Sequence, residues 1–354
     1  MKKNEKNDYT IPPSLHYMAG LSWRVLAIVG FLAVVVFLVI QLKTVVIPFL
    51  VALLVTALLY PLVQWLTSRK LKRGFAVAIS LVVFLITVGG LGFLVASELR
   101  SAYPALRAQT EVVLSDTRAM LEGQPLNIGS AEVDSYIDTV AKYAQEHSGS
   151  LASGIVTVGS AATNVVIGAF LVFFAVIFLL LDGKNIWRWT TTLFPQSSRK
   201  HLFDAGIKGW RTLNNFVKSQ VAVAGVDAVG IGLGALLLQV PLAIPIAVVV
   251  FLGSFIPFVG AIVTGALAVI IALVFNGWVA ALFMLGVVLI VQFLESQVLQ
   301  PFLIGKAVSV HPLAIVLAVS IGSLVAGIPG ALFSVPIVAV LNVMVASLMG
   351  DESS

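Results

Sequence analysis

The sequence predicts an all-α, polytopic integral membrane protein. It has about six full spanning helices, two broken or re-entrant helical hairpins, an external helical hairpin and an internal amphipathic helix. Three observations predict this class. Of 354 residues, 59% are hydrophobic and only 10% charged, against roughly a quarter charged in an ordinary soluble domain. The charges are also unevenly placed: Asp227 and Glu295 are the only ones between residues 221 and 300, and none falls between 307 and 350. Finally, the apolar runs have bilayer length, because a hydrocarbon core of about 30 Å needs roughly 20 helical residues whose backbone is satisfied internally.

Six runs fit that ruler: 25–40, 44–66, 75–97, 155–181, 221–239 and 278–299. A polar tail, residues 1–22, precedes them. The first run reads as a retained anchor and not a cleaved leader, since it is long and another span follows almost at once. Three spans and their loops fill residues 23–97. Residues 98–150 hold Leu99, Tyr103, Leu106, Val113 and Met120 at three-four spacing, and Val133, Ile137, Val140 and Ala144 repeat it; the pattern predicts an external helical hairpin that caps the spans or a neighbouring subunit. A fourth span occupies 151–181.

In residues 182–220, Phe203, Ile207, Trp210, Leu213 and Val217 make one helical face, and Lys200, Asp204, Lys208, Arg211, Asn215 and Lys218 the other. Such a helix is expected along the inner leaflet, with Lys200, Lys208, Arg211 and Lys218 near anionic lipid headgroups and the Trp210 indole at the interface. A single basic stripe beside a span favours lipid over nucleic acid. Residues 221–349 are read as the transport core, and 350–354 as a second tail.

Lys and Arg accumulate in short cytoplasmic loops. Lys2, Lys3, Lys6 and Arg24, the run Arg69, Lys70, Lys72 and Arg73, and the seven bases against two acids of 182–220 all mark the inside. The eight acids against four bases of 98–150 mark the outside. Both termini are therefore expected in the cytoplasm of a multi-pass protein.

Two further apolar stretches are interrupted, 242–275 by Pro245 and by Ile256-Pro257-Phe258-Val259-Gly260, and 313–349 by Gly327-Ile328-Pro329-Gly330. Each reads as two half-helices around a turn. A Pro or Gly inside an apolar segment frees backbone groups that lipid cannot satisfy, so protein, water or a solute must meet them. Ser254, Pro257 and Gly260 at one break, and Gly327, Pro329 and Gly330 at the other, are thus candidates for a solute or ion pathway. Asp227 and Glu295, with Gln292 and Gln297 beside the latter, join them, because an acid within an apolar body costs on the order of 2.5 to 3.5 kcal/mol at the bilayer centre. A structural hydrogen-bond anchor is the bland alternative for both acids, and an ordinary kink for both breaks.

Enzyme chemistry finds little support. No cysteine is present and His16, His147, His201 and His311 are scattered, so neither a metal centre nor a cofactor site is expected. Gly225-Val226-Asp227 matches an intramembrane protease motif only weakly, and Asp182 is read at a helix end. The run Gly230 to Gly234 follows no strand and so is no dinucleotide loop. With Ala224, Ala228 and Gly232 at intervals of four, it suits close helix packing.

Phe178-Leu179-Leu180-Leu181-Asp182-Gly183-Lys184, the Ile256 to Gly260 break, Glu295-Ser296-Gln297-Val298-Leu299-Gln300-Pro301, Gly305-Lys306, His311-Pro312 and Gly327-Ile328-Pro329-Gly330-Ala331 together resemble the autoinducer-2 exporter family of bacterial membrane proteins. The resemblance implies an inner-membrane transporter assembled as a homo-oligomer, a pentamer if it follows characterised relatives. It also implies export of a small polar solute, the quorum-sensing signal autoinducer-2 among the options, or else sodium or lithium extrusion in exchange for protons. Relatives often carry Asn before the proline of the Glu295 motif, where this chain has Ser296 and Gln297. A non-transporting membrane scaffold is the rival from another class.

Overall fold

The computed structural model describes residues 13–122, 166–256, 259–299 and 311–349, and every element among them is helical. The chain divides into two compact units, Met1–Ile47 and Pro48–Ser354. The first holds α1 (Pro13–Gln41), whose Trp23 and Phe31 are exposed. α2 (Lys43–Ser68) leads into the second, followed by α3 (Arg73–Glu122), α4 (described over Val166–Thr191), α5 (Gln196–Leu237), α6 (Ala243–Gly253), α7 (Val259–Leu294) with a π-helical turn Glu295–Leu299, and α8 (Pro312–Met349). Among the described residues, seven helices are long and apolar enough to cross a membrane.

Two of the seven are bent. α7 breaks at Gly277 (φ 83°) and α8 at Gly327 (φ 63°), in the left-handed region that a glycine enters without Cβ strain. Each therefore folds back on itself: a Cβ on Gly265 would lie 2.8 Å from Val288, and one on Gly330 would lie 1.9 Å from the Gly322 carbonyl oxygen.

Packing uses small residues, as it must where lipid is as apolar as leucine and van der Waals contact drives association. Ala52 of α2, Ala76 of α3 and Val176 and Leu180 of α4 share one cluster, latched by Arg73 Nε donating to the Leu180 carbonyl at 2.9 Å. Ala57 of α2 meets Leu213 and Val217 of α5 and Val340 of α8 in a second. In the third, Ile231 and Ala235 of α5 pack with Ile246 and Val250 of α6 and Ala268, Ala272 and Met284 of α7. The expected role of the glycine run holds: Gly230 and Gly234 face Val291 and Val287, and Gly232 faces Ala247.

Three boundaries differ from expectation. The third span continues as helix to Glu122, and the second half of the expected external hairpin lies outside the described residues. The fourth runs on through Asp182-Gly183-Lys184 to Thr191, so Asp182 is inside a helix, bonded to Asn185. The amphipathic segment and the fifth span are one helix, α5. No proline or turn residue separates Lys218 from Val221, so nothing stops the helix. At 42 residues it is about 63 Å long, twice the hydrocarbon thickness, and cannot stand upright within it. Trp210, half-buried, packs edge-on against Tyr60 at 5.8 Å.

Candidate functional site

Asp227 sits on the packed face of α5 with 1% of its surface exposed. Opposite it, α6 ends at Gly253, where the chain turns before α7. Ser254 Oγ donates to Asp227 Oδ2 at 2.9 Å, with the Val250 carbonyl at the same distance as the alternative acceptor. Gln220, seven residues before Asp227 and so on the same helical face, donates from Nε2 to the Ser254 carbonyl. That bond satisfies an acceptor the end of α6 would otherwise leave open. Asp227 Oδ1 has no hydrogen-bond partner among the described residues.

The turn itself is drawn tight by glycine. A Cβ on Gly260 would lie 1.7 Å from the Gly253 carbonyl oxygen, so the two arms touch backbone to backbone. Thr264 Oγ1 then donates to the Gly260 carbonyl at 2.8 Å. α8 repeats the construction: Gly322 and Gly330 meet across the Gly327 bend, and Ser334 Oγ, four residues on, donates to the Gly330 carbonyl at 2.6 Å. The two breaks are neighbours, since Ile256 of the first packs with Val319, Ala331 and Val335 of the second and with Phe216 of α5.

Glu295 opens the π-turn at the end of α7, and that turn packs beside α5. The constellation is therefore the Asp227 carboxylate, a hydroxyl and an amide gathered where a helix is interrupted, with Glu295 on a turn beside the same helix. Chemically it offers hydrogen-bond acceptors to a donor-rich small molecule, inside an otherwise apolar body. Among the described residues no group of three or more His, Asp or Glu could hold a metal ion.

Comparison with known proteins agrees with a transport role. The model of the AI-2E family transporter matches residues 26–350. The chain belongs to the AI-2E transporter family. It is 36% identical over 346 residues to "Putative transport protein MT0215" of Mycobacterium tuberculosis, covering 98% of this chain and 94% of that protein. It is 21% identical over 315 residues to "AI-2 transport protein TqsA" of Escherichia coli, covering 87% and 88%. Relatives of this AI-2E member are named for transport and not for catalysis, as the scattered histidines and absent cysteine suggested.

Of the candidates read from sequence, the AI-2E chain brings Asp227 and Ser254 together at the Gly260 turn, and places Glu295 on the π-turn beside α5. Gln292 is half-buried one turn before Glu295, while Gln297 is exposed on the π-turn. Pro257 lies outside the described residues. Gly327 is exposed at the second bend, with Pro329 and Gly330 half-buried after it. Lys200, Lys208, Arg211 and Lys218 are exposed along one face of α5. Sequence reasoning missed Gln220, whose two-turn spacing from Asp227 could have revealed it, and the glycine pairs 253/260 and 322/330, which flank each break at seven and eight residues.

Elsewhere, Thr56 Oγ1 on α2 and Asn214 Oδ1 on α5 are buried without a hydrogen-bond partner among the described residues. An unpaired buried hydroxyl costs about 1–3 kcal/mol. Thr56→Val, similar in shape and lacking the hydroxyl, is expected to raise the thermal unfolding midpoint in detergent; a lower midpoint would show that the hydroxyl has a partner.

Proposed function

We propose that this AI-2E transporter exports a small polar solute across a bacterial cytoplasmic membrane, with autoinducer-2 the first solute to test. The observation that carries the reading is Asp227: a carboxylate almost wholly buried, tied through Ser254 to an interrupted helix, with one oxygen left to accept from a solute. TqsA, whose name is AI-2 transport protein, supports the choice of solute. In this reading the Gly253–Gly260 and Gly322–Gly330 hairpins gate a path past Asp227 and Glu295, and they do so in each protomer of a homo-oligomer. Movement of the hairpins against a fixed scaffold, coupled to a proton or sodium gradient, supplies alternating access.

The test is efflux from proteoliposomes holding the purified protein, with labelled autoinducer-2 and a panel of small polar solutes, under imposed proton and sodium gradients. Saturable efflux of one solute, competed by its congeners, is the expected result. Sodium–proton exchange with no solute movement would replace solute export by cation antiport. No flux of any kind would leave a scaffold.

A further inference from the structure

The exposed face of α5 changes chemistry along its length. Lys200, Asp204, Lys208, Arg211, Asn215 and Lys218 are exposed in one stripe, and beyond them the exposed residues become Ala222, Val226, Val229 and Leu233. The opposite face of the charged half is packed, so its depth can be read from its neighbours. Trp210 stacks edge-on against Tyr60, and Leu213 and Val217 pack with Ala57. Ala57 lies near the middle of the 26-residue span α2, whose basic end is marked by Arg69 over Trp65.

Neighbouring helices at this level turn apolar side chains outward. On α3, whose Ala76, Val77 and Leu81 pack with Leu59 and Val63 of α2, Phe75, Ile79 and Val82 are exposed. On α8, whose Val340 and Met344 face Gly209, Leu341, Val345 and Leu348 are exposed. Those surfaces suit lipid. The α5 stripe at the same depth does not, because charged side chains inside a bilayer face a bundle interior or a water-filled cavity. From mid-span, each end of the hydrocarbon is about 15 Å away, further than a lysine side chain snorkels.

We propose that Lys208, Arg211, Asn215 and Lys218 line a water-filled, electropositive vestibule within the depth of the bilayer. It draws in small anionic or electron-rich solutes and repels cations. The headgroup contact expected for Lys208, Arg211 and Lys218 from sequence is thereby replaced by water. This inference rests on the membrane-spanning fold and not on the identity of the exported solute, so it stands or falls separately from the flux assay.

The natural absence of cysteine makes the test direct. Full-length Asn215→Cys and Lys218→Cys proteins, in vesicles of phosphatidylethanolamine and phosphatidylglycerol, are reacted with methanethiosulfonate reagents of equal size and opposite charge, with Ile79→Cys as the control at the same depth. Both stripe positions are expected to react and the control not. The anionic reagent should gain on the order of tenfold over the cationic one, relative to a free thiol, since a cleft of one sign concentrates counter-ions. Adding Arg211→Gln should shrink that ratio toward one. The proposal is overturned if both stripe positions are as inert as Ile79→Cys, if Arg211→Gln leaves the ratio unmoved, or if reaction appears only when phosphatidylglycerol is omitted, which would assign the stripe to anionic headgroups.

Discussion

Gly260→Ala is expected to lower the thermal unfolding midpoint of the purified protein by several degrees and to abolish flux. The added Cβ would fall 1.7 Å from the Gly253 carbonyl oxygen, where ordinary contacts begin near 3.4 Å. A flexible side chain could swing aside, but a backbone carbonyl can move only with its helix. Over-packing costs about 1–3 kcal/mol and occasionally more. Here the upper end is expected, because the arm that must yield is also tied to α5 through Ser254 and Gln220. Spreading the arms displaces Ser254 from Asp227 and so disturbs the polar cluster as well as the fold. Gly330→Ala repeats the experiment at the second bend, where the clash is with the Gly322 carbonyl at 1.9 Å. Gly286→Ala is the matched control: it lies in α7 with nothing within 4 Å of its added Cβ, and alanine is the better helix former by about 1 kcal/mol. Equal midpoints for Gly260→Ala and Gly286→Ala would show that the tight turn does not hold the hairpin.

The apolar ruler found the long helices because hydrocarbon thickness fixes their length whatever they pack against. It also found the breaks at Gly260 and Gly327, where Pro or Gly interrupts an apolar run, but not the bend at Gly277, which lies between the stretches 242–275 and 278–299 that it read separately. What it missed depends on tertiary partners. The change from polar to apolar near Lys218 looked like the start of a span, yet no breaker stands there and α5 continues across it. The edge-on contact of Trp210 with Tyr60, 150 residues earlier in sequence, cannot be read from an amphipathic pattern. The opposed glycines 253 and 260 carry a signal only once the arms are known to fold together. Asp227 and Glu295 stood out by rarity alone, and only the packing of the Glu295 turn beside α5 brings their two helices side by side.

Asp227 separates a working residue from a structural one through two substitutions, neither of which is expected to lower stability. Asp227→Asn keeps the shape and one carbonyl oxygen able to accept from Ser254, so the fold should persist. It replaces the other acceptor with a donor and removes the charge. Losing one hydrogen bond to a charged group is worth about 1.5–3 kcal/mol, so flux of the transported solute should fall tenfold or more with little change in midpoint. Asp227→Leu goes further. Ser254 can still donate to the Val250 carbonyl, 2.9 Å away, and replacing a buried ionisable group by an apolar one of similar size is often neutral or stabilising by about 1 kcal/mol or more. The expected protein is therefore at least as stable as the parent and does not transport. If Asp227→Leu instead melts several degrees lower, the carboxylate is holding α6 against α5 and its burial is structural. A carboxylate that weakens the fold yet sits where two interrupted helices meet would be retained for what it binds, and measuring midpoint and flux on the same preparations distinguishes the two cases.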